Sequence, residues 1–201
     1  MRKMILVAAF ALIFAGCLTQ RSQFPVAAAV TPPQGAETLP VIGLARTQDD
    51  RPNEKAGHIG GLRITAGNDA LDYVHDSLKN KLMQKGFRVV EVTDPSKAAD
   101  PHERPAERTI SIIPILQSAS ITTADAILFA ATIDVDLAAK VYDAKGEVVY
   151  ATKARSEQKN RLWFSSGTKK TGRLLSEAVD AVLDQVLADP KFATALGASR
   201  D

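Results

Sequence analysis

Hydrophobic and polar positions change their rhythm several times along the chain. Met4 to Phe14 is an unbroken apolar run behind Arg2 and Lys3. Its length suits the core of an export signal and falls short of the ~20 apolar residues a membrane-spanning helix needs. From Leu18 to about Thr38 no period is visible. Ala, Gln, Thr and Pro dominate there, with Pro25, Pro32 and Pro33, which predicts a flexible tether over residues 17–38. Fully extended, its ~20 residues would reach about 70 Å.

Periodic structure then fills residues 39–201, enough for one domain. Leu39 to Ala45 is a short β-like run, and the polar stretch Thr47 to Gly61 reads as a loop with a small strand near Ile59 to Ile64. Asn68 or Asp69 can cap a helix to Lys85, in which Leu71, Val74, Leu78 and Leu82 share one face. Gly86 is placed to stop it, and Phe87 to Val92 follows as a strand. Thr93 to Arg108, with three prolines, is a loop. Thr109 to Ile121 is β-rich, and Pro114 within it suggests an edge position or a bulge.

The clearest strand is Phe129 to Tyr142. Ile133, Val135, Leu137, Ala139 and Val141 alternate with Thr132, Asp134, Asp136, Ala138 and Lys140, as in a strand with one buried and one wet face. Asp143 to Gly146 is a tight turn, and Glu147 to Gln158 returns as the antiparallel partner. A last long helix, Thr171 to Ala188, carries Leu174, Leu175, Ala178, Val179, Val182, Leu183 and Val186 as a wide stripe. Asp189-Pro190 ends it, and Lys191 to Leu196 forms one more turn. The fold class expected is α+β, a twisted, mainly antiparallel sheet with two helices on one face.

Charge and cysteine change the picture at the N-terminus. The chain has 25 Lys and Arg against 23 Asp and Glu, and Arg2 and Lys3 account for the whole excess. A chain cut after residue 16 is formally neutral, so nucleic acid is not implied as a partner. Cys17 is the single cysteine, which excludes an internal disulfide and a cysteine metal cluster. Phe14-Ala15-Gly16-Cys17 resembles a bacterial lipobox, although leucine is usual where Phe14 stands. The plainer account is an ordinary secretory signal with an incidental Cys17. The small residues at the end of the apolar run favour lipidation instead. Two acyl chains suffice for stable anchoring. By similarity to Gram-negative sorting, Leu18 after the cysteine favours the outer membrane, with the domain on its periplasmic face.

Candidate chemistry is sparse. Ser165 to Thr171 precedes a helix, but Leu162 stands where a phosphate loop needs its first glycine and Thr168 where it needs lysine. Lys169, Lys170 and Arg173 crowd the start of the last helix, where the dipole disfavours cations, beside Trp163 and Phe164. These five are candidate contacts to lipid headgroups or an envelope protein partner. A solvated loop with one aromatic tucked into the core is the plainer account and carries more weight. Asp49, Asp50, Asn53 and Glu54 lack the spacing of a calcium loop, so local pairing with Arg51 is expected. Asp134 and Asp136 read as the wet face of the hairpin. His58, His75 and His102 are scattered, and no metalloprotease, serine-hydrolase or cysteine-nucleophile motif is present. No catalytic residue, metal site or cofactor is expected.

Several stretches together are similar to the YajG-type bacterial lipoproteins: VIGLARTQDDR, LMQKGFRV, TIDVDLAAKVYDAKGE, and SSGTKKTGRLLSEAVDAVLDQVLADPKF. The resemblance lies in element order and spacing over most of the mature chain. It implies an anchored periplasmic domain and carries no catalytic residues across. The layout is also similar to accessory lipoproteins of ABC transporters and to lipoproteins that regulate peptidoglycan synthases. The expected function is a non-enzymatic, membrane-anchored binding or accessory domain. A hydrolase would instead show a deep pocket of converging polar groups near Asp50, His58 or Asp134.

Overall fold

The alternation centred on Ile133 to Val141 builds the middle of the sheet. The computed structural model describes residues 20–31, 41–52, 63–92, 110–123, 130–161 and 168–197. In chain order the strands are β1 (Gln20–Ser22), β2 (Val41–Ala45), β3 (Gln48–Asp49), β4 (Arg63–Ala66), β5 (Arg88–Val92), β6 (Ile110–Thr123), β7 (Ala130–Tyr142) and β8 (Val148–Arg161). Helix α1 (Asp69–Gln84) lies between β4 and β5, and α2 (Thr168–Ala188) and α3 (Pro190–Gly197) close the described chain.

The fold is α+β with a mixed, open sheet. One edge of β6 pairs antiparallel with β7 from Ser111 to Thr123, and β7 pairs antiparallel with β8. The other edge is shared by three short strands: β2 parallel at Ile110–Ile112, β3 parallel at Ile115–Leu116, and β4 antiparallel at Ser120–Thr122. Two more parallel pairs, β2 with β5 and β1 with β4, extend that side. Antiparallel pairing thus dominates by length, while the short ladders are mostly parallel.

Pro114 corrects one expectation. It lies inside β6, opposite Ala139, and the bulge comes later, between Leu116 and Ser118. On the other edge Pro114 falls between the registers of β2 and β3. An absent N–H costs no ladder bond at such a break.

Local chemistry explains the helix limits. Gly86 takes φ 88°, with Phe87 N–H donating to Leu82 O (3.1 Å) and Gly86 N–H to Met83 O (3.0 Å). This pair of bonds is a Schellman stop. Asn68 makes no side-chain capping bond, and the Asp69 carboxylate serves elsewhere, as described below. Helix α2 begins at Thr168, a turn before the stripe predicts, and all seven residues of the expected stripe are buried. Each Leu or Val among them contributes roughly 1.5–3 kcal/mol on burial. The terminal turn is a full third helix. Asp189 Oδ1 accepts the Lys191 N–H at 2.8 Å as its cap, Pro190 opens it, and Phe192 is buried against Tyr150 with rings 5.4 Å apart.

The three helices share one core with one face of the sheet. A smaller cluster of Ala45, Val92, Ile113, Ile115 and Ala138 forms on the opposite face. The turn at Asp143 is as expected: its Oδ1 accepts the N–H groups of Lys145 (2.8 Å) and Glu147 (2.9 Å), and Gly146 has φ 85°.

The N-terminal residues depart from the tether expectation. Ser22 is buried, and Gln23 N–H donates to Thr168 O at 3.3 Å. Phe24 N–H donates to Asp69 Oδ2 at 2.7 Å, and the Phe24 ring lies 5.4 Å from that of Tyr73. Ala27 packs on the core, and Asn80 Nδ2 donates to Ala28 O at 2.7 Å. A Cβ at Gly172 would overlap the Gln23 carbonyl, so a glycine on α2 makes room for this segment. Residues 20–28 are therefore part of the fold. Composition alone misses this, because two apolar anchors, Phe24 and Ala27, suffice to seat a chain otherwise read as linker. Residues 17–19 and 32–38 of the expected tether lie outside the described residues.

Candidate functional site

The parallel pair β2 and β5 opens, at its C-terminal end, beside the first turns of α1. A cleft of about 570 Å³ lies there, lined by Arg46, Thr47, Asp49, Leu71, His75 and Glu91 among others, with Asp72 and Asp76 on the helix. Each contributor follows from its element. Arg46 and Thr47 continue β2 across the break opposite Pro114, while Asp72, His75 and Asp76 fall on one side of α1 at three- and four-residue spacing. Crevices at the carboxyl ends of parallel strands are a common place for ligands.

Two of the cleft's four carboxylates, Asp49 and Glu91, are tied to cations. Arg51 forks onto Asp49, Nε to Oδ1 at 2.6 Å and Nη2 to Oδ2 at 2.7 Å. Its Nη1 also donates to Ala66 O (2.8 Å) and Gly67 O (3.3 Å), which fastens β3 to the end of β4. The expected local Asp–Arg pair thus also joins two strands. The Arg51 hydrogen bond holds the Asp49 carboxyl below the ordinary carboxylate range, against an opposing push from burial. Lys79 donates to Glu91 and holds that carboxyl down too, with burial again opposing. Both groups stay ionised at neutral pH. A general acid or base needs a pKa near the working pH, so this pair serves as fixed charge.

His75 is buried, and its Nδ1 lies 3.2 Å from Ala45 O. A carbonyl only accepts, so Nδ1 carries the proton in this contact. The Thr47 hydroxyl is buried with no hydrogen-bond partner among the described residues. Among the described residues no group of His, Cys, Asp or Glu is arranged to hold a metal ion. Sequence reasoning passed over this cleft. The signal for it, Asp72, His75 and Asp76 on one helix side, reads in isolation as an ordinary wet face.

The residues that sequence reasoning nominated fall elsewhere. Lys169 and Lys170 are exposed in the first turn of α2; Arg173, also exposed, pairs with Glu177 at 3.1 Å. Cys17, Trp163, Phe164, Asn53, Glu54, His58 and His102 lie outside the described residues. Asp50 does not line the cleft; it accepts from Gln117 Nε2 at 3.3 Å. Asp134 and Asp136 sit on the sheet face away from the helices. Arg155 approaches them at 2.9 and 3.6 Å. Burial, then the neighbouring Asp134 charge, raises the Asp136 pKa. No described helix is long and apolar enough to cross a membrane.

The molecule is thus an α+β domain with a mixed open sheet, three described helices and an N-terminal segment folded onto them. Among solved structures it is similar to a DUF330 protein of Xanthomonas campestris: TM-score 0.53, 13% identity, 91% of this chain and 99% of that one. This likeness is one of fold. Weaker likenesses include a lipoprotein of Neisseria meningitidis, with TM-score 0.46 and 11% identity over 74% of this chain and 99% of that one. A minor lipoprotein of Acinetobacter baumannii gives TM-score 0.43 and 10% identity over 80% and 94%. No family model matches the sequence, and no curated protein matches it significantly.

Proposed function

We propose that the protein is a bacterial envelope lipoprotein of YajG type: a periplasmic domain held on the outer membrane by acyl chains on Cys17, acting as a non-enzymatic binding or accessory module. The observation that carries this reading is the Ala15-Gly16-Cys17 sequence at the end of the apolar run. Support for a binding role comes from the cleft, where Arg51 and Lys79 keep Asp49 and Glu91 as fixed anions. An envelope protein is the partner expected, and Lys169, Lys170 and Arg173 with Trp163 and Phe164 are candidate contacts to that partner or to lipid headgroups.

Expression of the full chain with labelled palmitate tests the anchor. Label on the wild type, its loss in Cys17→Ser, and sedimentation with outer-membrane fractions are expected. An unlabelled protein released with the periplasmic contents would refute the reading. For the partner, photo-crosslinking from position 170 in intact cells should yield one dominant envelope protein. Products that do not change with the position of the crosslinker would argue against a dedicated partner.

A further inference from the structure

The register of the sheet fixes where an anchor on Cys17 would sit. Gln20 pairs with Ile64, Ile64 with Ile121, Ile121 with Ile133, and Ile133 with Gln158. The chain therefore enters the fold at the end of the sheet where β6 finishes, β7 starts and β8 finishes. Cys17 precedes Gln20 by three residues, which span at most about 11 Å. Acyl chains on Cys17 would bring the bilayer surface to this end. From Ile133 to Tyr142, β7 climbs roughly 30 Å to the opposite end, where the Asp143–Glu147 turn stands.

The charges on the anchor-proximal end suit a lipid surface. The first turn of α2 reaches it through the bond from Gln23 N–H to Thr168 O. Lys169, Lys170 and Arg173 are exposed there, and Lys159 is exposed near the end of β8. Cations near an anionic leaflet are attracted to it. This also gives Lys169 and Lys170 a role at a helix N-terminus, where the dipole otherwise disfavours them.

We infer that the end of the domain formed by β1, the end of β6, the start of β7, the end of β8 and the first turn of α2 rests on the bilayer, its cations against anionic headgroups. The inference rests on acylation of Cys17. It turns the opposite end, with the Asp143–Glu147 turn, away from the membrane.

The test uses the acylated full-length protein in phosphatidylethanolamine–phosphatidylglycerol vesicles. An acylated Cys17 takes no thiol label, so an environment-sensitive fluorophore reports from one added cysteine: Asn160→Cys, Lys170→Cys or Lys145→Cys. With headgroup-nitroxide lipid present, quenching at positions 160 and 170 should exceed that at 145 at least fivefold. Equal quenching at the three positions, or strongest quenching at 145, on vesicles carrying acylated protein would overturn the orientation and leave the anchor standing. Flotation and the mass of the N-terminal peptide read the anchor separately, and an unacylated, unbound protein would remove both. Changing Lys169, Lys170 and Arg173 together to serine should halve quenching at position 160 on anionic vesicles but not on phosphatidylcholine. No change on anionic vesicles would overturn the headgroup contact.

Discussion

The two edges of β6 are built on different plans. Toward β7 a single antiparallel ladder runs nearly its whole length, and β8 repeats it. Toward the other side, β2, β3 and β4 each take a few residues, and the gap between the first two holds Arg46 and Thr47 at the cleft. Side chains from the long ladder fill the core under α2. The interrupted edge supplies the cleft and receives the N-terminal segment. A continuous ladder gives the domain its stability, and breaks in pairing leave room for a crevice and for the N-terminal segment.

The largest effect should come from the continuous side. Leu137 is 1% exposed, and Leu137→Ala should cost about 2–5 kcal/mol by urea unfolding. Next comes the seat of the N-terminal segment. Gly172→Ala sets a Cβ against the Gln23 backbone, and should cost about 1–3 kcal/mol. Limited proteolysis should then cut within residues 20–31 while the β7–β8 hairpin stays intact. Asp69→Ala removes the acceptor for the Phe24 N–H, for about 1–2 kcal/mol, and should loosen the same segment by the same protease assay.

Smaller effects sharpen the electrostatics. Asp49 and Glu91 have folded pKa values below their ordinary 3.8 and 4.5. Their contribution is therefore complete above those ordinary values and lost as pH falls through the depressed ones. Asp136 has the opposite sign: its raised pKa favours the folded state at low pH, a gain lost as pH rises past that value. Glu91→Gln should flatten the fall of the thermal midpoint between pH 5 and pH 3, by less than about 1 kcal/mol because Glu91 is half exposed. Arg155→Gln, on the open face, should leave the midpoint unchanged within error at neutral pH.

The same contrast explains what could be read in advance. Local periodicity marks α1, the β7–β8 hairpin and α2, because each buries its own stripe or alternate face. It cannot rank the partners of β6, since β2, β3 and β4 are too short to show a period and their pairing is decided at long range. Phe24 looks like one aromatic in a linker until Tyr73 and Asp69 are brought to it. The cleft was hidden because Asp72, His75 and Asp76 resemble a solvent face until β2 and β5 are set beside them. Arg51 was legible as a partner of Asp49, but not as the link from β3 to β4.

Hydrogen exchange at the backbone amides of Gln23 and Phe24 is the most direct test that this N-terminal segment belongs to the fold. Both amides donate within the structure, to Thr168 O and Asp69 Oδ2. A docked segment should exchange at least about a hundredfold more slowly than a free chain. Exchange of both amides at the free-chain rate would contradict it and return residues 20–28 to a tether.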